Sequence, residues 1–203
     1  MEKLKKLVEK AIEEILEDYG KDEKKYTTEG DLVSYMFAKL LEMPIQNQNI
    51  RIHSQVRPFK GEIGEEEAII DGKWKKQKKA NAGSVVDLAI LNMENKYWNK
   101  ALDKAVKDQY GKNRVKKSLK YWRILSYPVE AFLTVIEVKI RVSGNEERIL
   151  KDVEKLYAIK KSNPKCLTYM VIADRCAPER ILHNIRKYAT KNKVELYAKI
   201  SAS

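Results

Sequence analysis

Cysteine is nearly missing from this 203-residue chain: Cys166 and Cys176 are the only two. A disulfide framework is thereby excluded, and two isolated thiols fit a reducing, cytoplasmic setting. Histidine is as scarce, with His53 and His183 alone, and two Cys and two His at no zinc-ligand spacing make no zinc site. No apolar run approaches the ~18–20 residues that a membrane-spanning helix needs. The segment Met1 to Leu16 has no uninterrupted apolar stretch, so a secretory signal is not expected there. Neither an internal repeat nor a low-complexity linker divides the chain, and a single domain over 1–203 is the expectation.

Acid is in short supply relative to base. Asp and Glu number 29 against 41 Lys and Arg, a formal net charge of +12. Such a field attracts polyanions, chiefly by releasing their condensed counterions. DNA therefore leads the list of partners, with RNA not excluded; an anionic membrane comes second, and solubility alone is the bland account. Hydrophobic residues make up 43% of the chain, enough for a full core.

Apolar spacing of three and four residues predicts a helix over 2–19 ending near Gly20, and a second one capped by Thr27 or Thr28 with Glu29 and Asp31 in its first turn. Residues 50–57 alternate as a half-buried strand does. Residues 61–83, with Glu crowded before Lys73, Lys75 and Lys76, read as an excursion outside the core. Residues 84–91 and 131–142 read as strands, 146–161 as a helix with Tyr157 among its inward residues, and 166–173 as a strand covered on both faces. Pro178 suits the first turn of a helix running to about Thr190, and 193–200 reads as an edge strand. Between the second and third core strands lies a basic insertion, 92–130. Arg114, Lys116, Lys117 and Lys120 are interleaved there with tyrosine and tryptophan, a pattern suited to phosphate contact and base stacking or to a solvated helix face.

Two strands carry charge where charge is expensive. Leu133, Val135, Glu137, Lys139 and Arg141 share one face of the strand 131–142, and Asp87 interrupts an apolar strand. Isolated buried ions neutralise or destabilise a fold unless paired or coordinated. An ion pair between Glu137 and Lys139 is one solution. The other is a divalent cation, Mg²⁺ or Mn²⁺, held by Asp87 and Glu137 and completed by a phosphate oxygen. In that arrangement Lys139 can orient or deprotonate an attacking water, with a pKa lowered by the nearby metal and the dry strand, or offset charge on the phosphate. Asp152 and Lys155, on the helix after Lys139, are expected mainly in solvent. Gln55 and Arg57 are candidates for a cleft floor, His53 for a structural hydrogen bond and His183 for the surface.

Asp87 in Val-Val-Asp-Leu-Ala-Ile, followed by Glu137-Val138-Lys139 in Val-Ile-Glu-Val-Lys-Ile, resembles the PD-(D/E)xK nuclease superfamily. The resemblance spans roughly residues 27–200 as an order of elements. It departs from the common pattern at Val86, where Pro is frequent, and in the 50 positions that separate Asp87 from Glu137. It implies an α/β fold with a restriction-endonuclease-like mixed sheet, αβββαβ, flanked by helices, with the N-terminal helix 1–20 and the insertion 92–130 added. It implies a metal-dependent endonuclease acting on DNA in repair, recombination or restriction. Glu29 is then a third acidic ligand, as in the equivalent helix of archaeal Holliday-junction resolvases, with Asp31 the runner-up. Lys73, Lys75 and Lys76 join the basic insertion as nucleic-acid contacts, and cutting both strands of a duplex calls for a homodimer. The alternative is a nucleic-acid-binding protein that kept the fold without catalysis.

Overall fold

The computed structural model describes residues 1–22, 25–45, 49–62, 65–76, 83–110 and 126–200, with side chains of the third helix described up to Ala105. Helices α1 (Glu2–Lys21) and α2 (Glu29–Glu42) lead into strands β1 (Ile50–Lys60), β2 (Glu67–Ile70), β3 (Lys73–Lys76) and β4 (Val86–Asn92). Then follow helix α3 (Asn95–Tyr110), strand β5 (Ser126–Pro128), a 3-10 turn (Val129–Ala131) and strand β6 (Phe132–Lys139). Helix α4 (Glu146–Ser162), strand β7 (Leu167–Asp174), helix α5 (Glu179–Lys191) and strand β8 (Glu195–Ile200) complete the chain.

The strands form one mixed sheet in the order β3-β2-β1-β4-β6-β7-β8, with β5 paired to the end of β1. β1, β4 and β6 are successive antiparallel neighbours, whereas β6, β7 and β8 run parallel. Parallel neighbours need crossover connections, and α4 and α5 supply them. The core order α2-β1-β4-β6-α4-β7 is therefore the αβββαβ arrangement within an α/β fold, and β8 is the expected edge strand.

Each face of the sheet is covered by helices. α1 and α2 pack Val8, Ile12, Leu32 and Met36 against Leu88, Ile90, Ile136 and Val138. On the opposite face, Val153 and Leu156 of α4 and Ile185 of α5 pack against Ala89, Val135, Met170 and Ile172. Burial of each Leu, Ile or Val contributes about 1.5–3 kcal/mol, and the alternation of β4 and β6 divides these side chains between the two layers.

α2 begins on a capping box. Thr28 Oγ1 accepts from the Asp31 N–H at 3.1 Å, and Asp31 Oδ2 accepts from the Thr28 N–H at 2.7 Å. Asp31 also accepts from the Thr27 hydroxyl, at 2.8 Å. It is thereby committed to the helix terminus, which leaves Glu29 as the first-turn acid able to reach the sheet.

Several expectations are corrected. Residues 61–83 are not simply an excursion, because β2 and β3 form a hairpin in which Ala68 and Ile69 are buried and Gly72 turns at φ +73°. The turn packs so closely on α4 that a Cβ on Gly72 would lie 2.5 Å from Glu154 Cβ. Flanking Glu and Lys mask this four-residue apolar centre in the sequence. Strand β6 ends at Lys139 rather than at 142, and Tyr157 is exposed on α4, while Pro178 opens α5 as its N-cap. Within 92–130, α3 and β5 are ordered elements, and Arg114, Lys116, Lys117 and Lys120 lie outside the described residues.

Candidate active site

Asp87 and Glu137 sit on neighbouring strands. The β4–β6 register pairs Leu88 with Ile136 and Ala89 with Val135, and one further step sets Asp87 beside Glu137. Asp87 Oδ2 accepts from the Val138 N–H at 2.9 Å, which locks the carboxylate across the ladder. On its other side, Gln55 Nε2 lies 3.4 Å from Asp87 Oδ1, a long hydrogen bond. Gln55 holds a left-handed backbone, φ +55°, inside β1. Such a conformation is strained for a residue with a side chain and breaks the strand's regular alternation where it passes Asp87.

Lys139, at the end of β6, gathers the acids. Its Nζ donates to the Val138 carbonyl at 2.9 Å and to Glu29 Oε1 at 3.1 Å. The same nitrogen lies 3.3 Å from Asp152 Oδ2, 3.8 Å from Asp87 Oδ2 and 3.9 Å from Glu137 Oε2. The structure thus brings together Glu29, Asp87, Glu137 and Lys139, the four residues singled out in the sequence. Lys139 is 4% exposed and Glu137 1% exposed.

Asp152 and Lys155 join the same cluster, contrary to the solvent exposure expected of them. They lie three apart on α4, whose Val153 and Leu156 face the sheet, and this turns both charged groups toward Glu137. Lys155 Nζ sits 2.8 Å from Glu137 Oε1 and 2.9 Å from Asp152 Oδ1, and it donates to the Val85 carbonyl at 2.9 Å. The contact with Glu137 Oε1 is an ion pair whose angles fall outside those of a hydrogen bond.

Electrostatics follow from burial and crowding. Burial pushes the Glu137 carboxyl up to about 8; Lys155 and Lys139 oppose that rise, while Asp87 and Asp152 add to it. Burial acts against the charge of Lys139, yet Glu137, Asp152, Asp87 and Glu29 together raise its pKa above the ordinary lysine value. Four carboxylates thus outweigh desolvation here, whereas the lowering expected from sequence requires a metal beside them. Asp152 is also desolvated, but Lys155 and Lys139 hold it below the usual carboxylate range.

Among the described residues, no three carboxylates, imidazoles or thiols converge as a ready-made metal cage; ammonium nitrogens stand between the acids. Beside the cluster opens a cavity of about 310 Å³ lined by Thr27, Thr28, Glu29, Lys139, Ile140, Arg141, Asn145 and Arg148. Arg141 and Arg148 are exposed, and among the described residues neither guanidinium meets a carboxylate.

Other sequence candidates lie apart. Lys73, Lys75 and Lys76 are exposed on β3, the sheet edge, where lysine also discourages edge-to-edge pairing, and Lys75 pairs with Asp71 at 3.3 Å. Arg57 donates through Nε to the Gly83 carbonyl at 3.3 Å. His53 packs against Tyr127 with ring centroids 5.5 Å apart, and among the described residues its buried Nε2 has no hydrogen-bond partner, so the expected structural hydrogen bond is not made there. His183 is exposed on α5.

No protein family and no curated protein matches the sequence. Among solved structures, the chain is similar to NucC of E. coli MS115-1 in its cAAA-bound form, at 9% identity and a TM-score of 0.48, over 94% of this chain and 72% of that one. A likeness at that level is no guide to chemistry, which has to come from the side chains themselves. No helix is long and apolar enough to cross a membrane among the described residues.

Proposed function

We propose that this protein is a metal-dependent nuclease that hydrolyses phosphodiester bonds in DNA. The observation that carries the reading is the convergence of the Asp87 and Glu137 carboxylates, from adjacent and largely apolar strands, on the Lys139 nitrogen.

The donor set fits a divalent cation. Asp87 Oδ2 and Glu137 Oε1 are engaged by the Val138 N–H and Lys155, whereas among the described residues Asp87 Oδ1 meets only the long contact from Gln55 and Glu137 Oε2 has no partner nearer than Lys139 at 3.9 Å. Those two oxygens would hold Mg²⁺ or Mn²⁺, with Glu29 supplying a third carboxylate at the mouth. Mg²⁺ is commonly held by only one or two carboxylates together with water and a substrate phosphate, so a complete protein cage is not required. Such an ion, when bound, supplies Lewis acidity at a phosphate oxygen and a more acidic water.

The chain's own groups have distinct roles in this reading. Val138 N–H and Gln55 orient Asp87. Lys155 fixes Glu137 from the α4 side. Lys139, set among four carboxylates that favour its charged form, acts as a hydrogen-bond donor toward negative charge developing on the phosphate. Arg141 and Arg148 line the cavity as backbone contacts for the nucleic acid, and the net charge of +12 favours a polyanionic substrate. Lys73, Lys75, Lys76 and the basic segment with Arg114, Lys116, Lys117 and Lys120 extend the contact surface, and a homodimer would present two such centres to a duplex.

The test is incubation of the protein with duplex, single-stranded and branched DNA and with RNA, in Mg²⁺, in Mn²⁺ and in chelator. Metal-dependent cleavage of DNA is expected. Binding without cleavage in either metal would instead establish the second reading, a non-catalytic nucleic-acid-binding protein, which the self-neutralising ion pairs of Lys139 and Lys155 favour.

A further inference from the structure

Lys155 is a cation built into the centre of the acidic cluster. It is 5% exposed, and three oxygens surround its nitrogen at 2.8–2.9 Å, from Glu137, Asp152 and the Val85 carbonyl. The Val85 carbonyl accepts a hydrogen bond from this ammonium, and the two carboxylates surround it as ion-pair partners. Burying a lysine this deeply is unfavourable unless its charge is matched, and here it is matched by the two acids that lie on the α4 side of the site.

The charge of the cluster sets a limit on what else can enter. A cation on Glu137 would displace the proton that burial favours there, and Glu29, Asp87, Glu137 and Asp152 then carry four negative charges against two positive ones from Lys139 and Lys155. One divalent cation brings the sum to zero. A second would leave two uncompensated positive charges in a largely buried site. It would also need oxygens on the α4 side, and Glu137 Oε1 and Asp152 Oδ1 are already held by Lys155.

We propose that Lys155 stands in for a second metal ion, so that the centre binds a single divalent cation. This rests on the reading that Asp87 and Glu137 hold a metal. Lys155 is a positioning residue: it keeps Glu137 turned so that one oxygen faces the helix and the other faces Lys139.

The experiment counts Mn²⁺ ions. Calorimetric titration and the electron paramagnetic resonance signal of free Mn²⁺ give the number bound by the wild type, Lys155→Arg and Lys155→Met, each relative to Asp87→Ala to remove surface sites. One ion is expected for the wild type and for Lys155→Arg, which retains the cation, and two for Lys155→Met. Circular dichroism establishes that each variant is folded, and if Lys155→Met is not, the wild type and Lys155→Arg decide. Two ions in the wild type would overturn the proposal while leaving the nuclease reading intact. A single ion in folded Lys155→Met would also overturn it, because the lysine would then not control the count. No ion in the wild type would remove the nuclease reading itself.

Discussion

Lys139 Nζ lies 3.1 Å from Glu29 Oε1, joining the first turn of α2 to the last residue of β6 across 110 positions of sequence. The contact closes the cavity side of the cluster and places one ammonium among four carboxylates.

Replacing that lysine should expose the repulsion it suppresses. Lys139→Met is expected to lower stability by about 3–5 kcal/mol, the usual effect of removing one partner from a buried ionic group. Mn²⁺ should restore part of the loss, since an ion bound only by the folded state stabilises it. Thermal melts with and without Mn²⁺ check this, and an equal Mn²⁺ shift for wild type and variant would speak against the cluster as the binding site.

Asp152 holds both lysines, at 3.3 Å from Lys139 and 2.9 Å from Lys155. Asp152→Asn should lower stability by about 1–3 kcal/mol in urea unfolding, because two largely buried ammoniums lose a charged acceptor. A neutral effect would return Asp152 to the solvent-exposed role expected from sequence.

Arg141 and Arg148 line the cavity without acidic partners among the described residues. The double Ala variant should weaken DNA binding and reduce the slope of log affinity against log salt by about 2, while its Mn²⁺ count stays unchanged. An unaltered slope would place the DNA backbone elsewhere.

His53 gives the fold an acid-side weakness. Burial, helped by the charge of Arg51, holds its imidazole below the ordinary value of 6.5. Above that value both folded and unfolded states carry a neutral ring. As the pH falls below it, the unfolded chain takes up a proton that the folded chain resists, and stability drops through that window. Denaturant unfolding at about pH 7.5 and about pH 5 should show a larger loss for the wild type than for His53→Gln, whereas parallel losses would assign the acid sensitivity to other groups.

Much of the centre was legible because charge on a strand is conspicuous. Glu137 and Lys139 stand two apart in an apolar strand, and Asp87 interrupts another, so alternation alone put them on definable faces. Asp152 and Lys155 were hidden because Asp and Lys on a helix of a lysine-rich chain look like ordinary surface. Only the packing of Val153 and Leu156 turns them inward. The choice between Glu29 and Asp31 depended on the capping box, in which Asp31 is consumed. The β2–β3 hairpin escaped because its buried centre is short and its flanks are charged, and the left-handed turn at Gln55 has no glycine to announce it. Pattern reading also put Tyr157 inside, where the helix face in fact meets solvent.

In the proposed nuclease, the carboxylate of Asp87 serves phosphodiester cleavage. That role is tested most directly by single-turnover cleavage of end-labelled DNA in Mn²⁺ by the wild type and Asp87→Ala, with DNA affinity measured in parallel. The variant is expected to bind DNA as the wild type does and to cut at least ~10²–10³-fold more slowly, the scale of losing one preorganised electrostatic group or more. Cleavage by Asp87→Ala at the wild-type rate would contradict it.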